Sequence, residues 1–242
     1  MKNNKEYARK IQNLYRSLKR EYPKSGRIVY EEPLEALVYG IVSENMSDSA
    51  AQSAIKGIAD NFVDFNDLRV SLEEEVMEIL GGSTPETRTT ASILRELLGG
   101  LFREYNKVSL ATLKKIGKRP AKKVLEQMKG VSNFAVNYCM MTSLQAHAIP
   151  LTKKMIEYLR SNELVHPDAD EQEIEGFLVR QITAANGCEF YSLLRRRSES
   201  RRAKTVKKTG TKTVPKKPKK KTSKSRKKAG TKKGKKTKRR ER

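Results

Sequence analysis

Residues 121–144 read AKKVLEQMKGVSNFAVNYCMMTSL, and the fold turns on how they are parsed. Ala121, Val124, Leu125 and Met128 recur at i, i+3, i+4 and i+7, the spacing of one helical stripe. Pro120 stands just before them, where its fixed φ and missing N–H suit a first helical turn. A second stripe, Phe134, Ala135, Tyr138, Met140 and Met141, predicts another helix, with small Ala135 where a neighbouring helix would have to come close. Only Lys129, Gly130, Val131 and Ser132 lie between the two. Gly130 can take the left-handed conformation that reverses the chain, and Ser132 can cap the helix that follows. The expected product is a helical hairpin whose backbone N–H groups face outward at the positive end of the second helix. That arrangement cradles a phosphate. The alternative is an ordinary helix–turn–helix corner without a ligand.

The rest of the chain supports an all-α body of about ten helices. Tyr7, Ile11, Leu14, Tyr15 and Leu18 mark a helix over 5–22 with Lys and Arg on its far side, read as a packing helix rather than a DNA-contacting one. Pro33 opens an apolar helix containing Leu34, Leu37, Val38, Ile41 and Val42. Ser47 caps the next helix, 48–62. Residues 61–70 look like a turn-rich connector, and Ser71-x-x-Glu74 like a capping box for a helix to Leu80. A longer helix is expected from Thr84 to Tyr105, with Gly99-Gly100 as a weak point inside it. Further helices are expected over 110–116, from 149 to about 160, and over 171–183. No run alternates long enough to propose a strand.

Charge is distributed unevenly. Residues 195–242 hold 26 Lys and Arg against 2 acids, a net +24, while residues 1–194 are neutral. We therefore expect two parts: a folded body, 1–194, and a disordered basic tail, 195–242, too poor in apolar residues to offset its ordering entropy. The tail resembles linker-histone tails in composition. With no aromatics it should grip phosphates without regard to sequence. Two cysteines, Cys139 and Cys188, give neither a disulfide framework nor the four thiolates of an iron–sulfur cluster, so no cofactor and no metal are expected. His147 and His166 have no partner at metal or triad spacing. The polar N-terminus and short apolar runs predict neither signal peptide nor membrane span. A cytoplasmic, nucleoid-associated protein is the resulting expectation.

Leu125-x-x-Met128-Lys129-Gly130-Val131-Ser132-x-x-Ala135 resembles the LxxLPGVGxxxA helix-hairpin-helix of the endonuclease III superfamily of DNA glycosylases. PLEALVYGIVSENMSDSAAQSAI, residues 33–55, resembles the family's PFELLVALILSQQTTDxxAxxA segment. The resemblance spans roughly residues 32–188. It implies duplex DNA, damaged or intact, as partner, with Lys129, Gly130, Val131, Ser132 and Asn133 at a backbone phosphate and Asn45 entering the minor groove. Asn45 could equally cap a helix. Lys122, Lys153 and Lys154 join the implied DNA-binding set.

The same alignment removes the family's chemistry. The nucleophilic Lys of the family's bifunctional members falls on Phe134, and the sugar-stabilising Asp that nearly all members keep, with or without that Lys, falls on Thr152. Slipping the alignment by one residue recovers no Asp. Lys153 or Lys154 could act as a relocated Schiff-base amine if burial or a neighbouring cation lowered its pKa, or could simply contact phosphate. Three readings follow: a catalytically inactive DNA-binding protein, an active glycosylase or abasic-site lyase with a relocated nucleophile, and a histone-like nucleoid protein. Oligomeric state is left open.

Overall fold

The computed structural model describes residues 4–23 and 28–200. The chain divides into a compact unit ending at Val206 and a second beginning at Lys207, and the expected tail beyond Ser200 lies outside the described residues. Among the described residues there are eleven α-helices, one short 3-10 helix and no strand, so the body is all-α as expected.

Two central helices build the core. Helix α2 (Pro33–Ser43) and helix α8 (Asn133–Thr142) are buried on nearly every side, which explains why their sequences lack a polar face. They cross closely because Gly40 meets Ala135. A Cβ added at Gly40 would lie 3.0 Å from the Ala135 Cα, so neither position tolerates bulk. The small residue expected at Ala135 is thus accounted for. Helix α6 (Pro85–Tyr105) adds Leu94, Leu97, Leu98 and Leu101 to the core. It runs without a break through Gly99 and Gly100, because packing on both flanks outweighs the low propensity of two glycines.

Around this centre, helix α1 (Asn4–Glu21) buries Ile11, Tyr15 and Leu18. Its Lys10 and Lys19 pair with Glu6 and Glu189, both at 2.9 Å, as befits a packing helix. Helix α3 (Asp48–Asn61) starts at the Ser47 cap, whose hydroxyl accepts from the Ala50 N–H. The connector expected over 61–70 contains a helix, α4 (Phe65–Val70), capped by the Asp64 carboxylate on the Asn66 and Asp67 N–H groups. The capping box expected from Ser71 to Glu74 does not form, because Leu72 holds the N-cap position and has no side-chain acceptor. Glu75 accepts from the Leu72 N–H at 3.1 Å to open helix α5 (Glu73–Ile79), while the Ser71 hydroxyl donates to Leu68 O at the end of α4. The helix expected at 110–116 is a single 3-10 turn, Ala111–Lys114. Helix α7 (Lys118–Gln127) forms the first arm of the hairpin, with Pro120 in its first turn. Helix α9 (Lys153–Ser161) and helix α10 (Glu171–Gln181) complete the expected set.

One helix contradicts the expected boundary at Arg195. Helix α11 (Ala184–Glu199) carries the chain five residues past it, and Arg195 is only 1% exposed. The triple arginine therefore begins inside the body. Composition hid this, because a run of Arg after Leu194 looks the same whether it starts a tail or finishes a helix.

Candidate nucleic-acid interface

Gly130 reverses the chain between α7 and α8 at φ +78°, a conformation that side-chain-bearing residues enter only at a cost. The Val131 N–H returns to Met128 O at 3.3 Å, closing the turn. Ser132 then caps α8, its hydroxyl accepting from the Ala135 N–H at 3.1 Å. The N–H groups of Gly130 and Ser132 find no acceptor among the described residues. They point from an exposed turn at the start of a ten-residue helix, so a bound anion would meet both the donors and the positive end of the α8 dipole. The left-handed turn at Gly130 and the Ser132 cap are those expected from the sequence.

Several basic residues around the turn are engaged with other groups of the protein. Lys129 is paired with Glu96 of α6 at 2.5 Å. Lys122 sits 3.6 Å from Glu126 and lines a hollow of about 450 Å³ against α10. Lys118, one turn before Lys122 on α7, donates to Gln145 O at 2.6 Å, beside the same hollow. Lys129 and Lys122 are exposed or half-buried pairs that screen easily, so both remain exchangeable toward phosphate. Lys153 and Lys154 occupy the first turn of α9 and are exposed. Of the two conditions named above for a relocated amine nucleophile, burial is not met at either lysine.

The Asn133 side chain turns away from the hairpin. Its amide donates to Glu175 of α10 at 2.9 Å, and the Asn137 amide adds a second bond to the same oxygen at 3.1 Å. Only the Asn133 backbone is left for a ligand. Burial pushes the Glu175 carboxyl above its usual range despite the two amide donors, which favour its charged form. Sequence reading missed Glu175 and Asn137 because neither belongs to a recognisable short motif.

Asn45 is exposed on the bend between α2 and α3, where it can reach a ligand. Ser47, not Asn45, caps α3.

Where the resemblance places a nucleophilic Lys, Phe134 is 2% exposed. Its ring lies 6.2 Å from Tyr138 and 6.5 Å from Tyr191, and the guanidinium of Arg195 stands over it at 5.9 Å. Tyr138 stacks in turn on Tyr39 at 5.2 Å. Burial holds the Tyr138 and Tyr191 hydroxyls far above their usual range, so both stay neutral. This layer of rings and one cation fills the space beside the start of α8. The position of the expected Asp is equally closed: Thr152 is 4% exposed, and its hydroxyl accepts from the Met155 N–H to cap α9.

Among the described residues, no group of three or more His, Cys, Asp or Glu could hold a metal ion. Cys139 is buried in α8, its thiol donating to Pro33 O, and the two cysteines do not supply the donor set of an iron–sulfur cluster. No helix among the described residues is long and apolar enough to cross a membrane.

No protein-family model matches the sequence, and no curated protein does. Solved structures do match. An endonuclease III–DNA complex superposes with a TM-score of 0.64 at 16% identity, over 78% of this chain and 85% of that one. A Clostridium acetobutylicum 8-oxoguanine glycosylase/lyase bound to duplex DNA gives 0.60 at 19%, over 80% and 70%. The 3-methyladenine DNA glycosylase of H. pylori, bound to 1,N6-ethenoadenine, gives 0.56 at 14%, over 81% and 96%. At these identities the likeness speaks for the fold, and together with the hairpin it establishes that the chain has the endonuclease III-like fold of the helix-hairpin-helix DNA glycosylases.

Proposed function

We propose that this chain is a DNA-binding protein that uses a glycosylase fold to hold duplex DNA without cleaving a glycosidic bond. The observation that carries the reading is the burial of Phe134 beneath Arg195. A hydrocarbon ring cannot attack a sugar, and no everted base reaches it while the ring layer is packed. The capped, buried Thr152 supplies no carboxylate to offset a sugar cation. The binding parts, by contrast, are kept: a hairpin with outward N–H groups and an exposed Asn45. Two of the similar structures hold duplex DNA by the same fold.

Phosphate contacts at the hairpin position the duplex, and Asn45 tests the base stack from the minor groove. The basic residues after Ser200 add affinity that is indifferent to sequence. If they engage about ten phosphates, binding weakens by decades over a few-fold rise in salt.

Single-turnover incubation of the full-length protein with duplexes carrying uracil, an oxidised pyrimidine, an alkylated purine or an abasic site tests this, with hot alkali to reveal base loss. The expected result is saturable binding with no strand scission. Scission above the protein-free control, with a borohydride-trapped adduct that disappears on replacing Lys153 and Lys154 by Ala, overturns it in favour of a relocated nucleophile. Binding that is wholly insensitive to the Gly130→Ala change would instead assign DNA to the basic tail alone, as in a histone-like protein.

A further inference from the structure

Arg195 spends every donor it has. Its Nε donates to Glu199 at 3.0 Å; Nη1 donates to the Tyr191 hydroxyl at 2.6 Å and to Ser43 Oγ at 3.3 Å; Nη2 donates to Ser43 O at 2.7 Å and to Met46 O at 3.1 Å. Five N–H groups meet five acceptors, in a site where the residue is 1% exposed. Such a guanidinium has nothing left for a phosphate. Its work is done on the protein.

What it holds is the bend carrying Asn45. Ser43 is the last residue of α2 and its carbonyl is one of the acceptors that a helix end leaves unsatisfied, at the negative end of the dipole. Asp48 is the first residue of α3, and its N–H, at the positive end, donates to Glu199 Oε2 at 3.0 Å. One i, i+4 pair on α11 therefore complements both helix termini that flank the bend, cation to carbonyl and carboxylate to amide. Tyr39 adds a bond to the Asp48 carboxylate at 2.8 Å. Phe134 supplies the flat surface under the guanidinium. Between these anchors Asn45 remains exposed at the apex.

We propose that Arg195 and Glu199 are positioning residues that hold the 43–48 bend in one conformation, making the last helix the element that sets discrimination between perfect and interrupted base stacks. The inference rests on the DNA-binding reading above. A preformed bend spares the ordering cost that a mobile one would meet on entering the groove. It also makes the probing residue selective, because a rigid apex fits a gap in the stack and clashes with an intact one.

The test uses the full-length protein and its Asn45→Ala, Arg195→Lys and Glu199→Gln variants, each checked for folding by urea denaturation. Affinities are measured for an intact duplex and for the same duplex carrying a tetrahydrofuran abasic analogue opposite 2-aminopurine. The wild type should prefer the interrupted duplex by about tenfold, the factor for one well-placed polar contact, and should change the 2-aminopurine fluorescence. Lysine has three donors in place of five, so Arg195→Lys should reduce the preference to within twofold of unity with intact-duplex affinity moving less than twofold, and Asn45→Ala should reduce the preference to the same level. The Asn45→Ala/Arg195→Lys double variant should lose no more than either single one. Glu199→Gln keeps the volume and tests the same clamp if Arg195→Lys does not fold. Equal loss on both duplexes, or additive losses in the double variant, would refute positioning through Asn45. A wild type that binds both duplexes equally well would overturn this inference alone. A wild type that binds neither would sink the DNA-binding reading itself.

Discussion

Putting a lysine back where the fold's relatives would have one, Phe134→Lys, should damage the protein rather than revive it. The site is 2% exposed, and a guanidinium already stands 5.9 Å from the ring centre. A second cation at about 6 Å costs about 3 kcal/mol at an effective dielectric of about 20. Loss of the cation–π contact adds about 1–2 kcal/mol. The total, roughly 4–5 kcal/mol, is a large share of the ~5–15 kcal/mol that stabilises an ordinary domain. For a body of this size it lowers the melting midpoint by on the order of 10 °C. The new lysine can reduce the cost by shedding its proton, which gives the effect a pH signature. Its folded-state pKa would lie below the unfolded value of about 10.4, so the folded state binds fewer protons and the deficit shrinks as pH is raised toward about 10. Thermal melts by circular dichroism at several pH values read this directly, alongside borohydride trapping on an abasic duplex. A variant with the wild-type midpoint, or one that forms a trapped adduct, would show that the ring layer is neither tight nor closed to DNA.

Gly130→Ala should cost about 1–2 kcal/mol, since φ is +78° and the added Cβ would lie 3.2 Å from Ile93 Cγ1; it should also weaken duplex binding several-fold, which urea titration and fluorescence anisotropy measure separately. Glu175 carries a folded-state pKa raised by burial, so its ionisation destabilises the fold, and stability falls as pH climbs through the ordinary carboxylate range of about 4.3 toward the raised value. Glu175→Gln should flatten that decline, and urea midpoints at about pH 4 and about pH 7 that shift as much as in the wild type would contradict it. The Cys139 thiol, pushed up to about 12 chiefly by burial, should resist an aromatic disulfide reagent at about pH 8 until denaturant is added, as measured in a Cys188→Ala background.

The hairpin and the need for a close helix approach at Ala135 were legible in the sequence because each rests on a local requirement, whereas the partner in that approach, Gly40 of α2, was not. A left-handed residue must sit at Gly130, a cap at Ser132, and a small side chain at Ala135 where Gly40 approaches. The substitutions at the positions the resemblance gives to Lys and Asp were legible for the same reason, since Phe134 and Thr152 are single positions in a spaced pattern. The clamp on the Asn45 bend was not. Arg195 lies 152 residues from Ser43, and no local period joins them. A signal did exist: Phe190, Tyr191, Leu193 and Leu194 continue a helical face up to Arg195, and Glu199 follows at i+4. Net charge masked it. Helix α4 escaped for a different reason, its six residues being too short for periodicity to stand out from the Asp and Asn around them.

The arginines of this chain fall under two different obligations, and the change from one to the other comes after Glu199 rather than at Leu194. Arg195 maintains shape from inside; those beyond Ser200 belong, in the reading proposed above, to the search for a polyanion. Anyone wishing to learn what the basic tail contributes must therefore cut after Ser200. A chain ended at Leu194 would discard Arg195 and Glu199 along with the tail, releasing the bend above Phe134 and leaving a buried space beside it. Its failure on DNA would be credited to missing electrostatics when the fault lay in a missing internal brace.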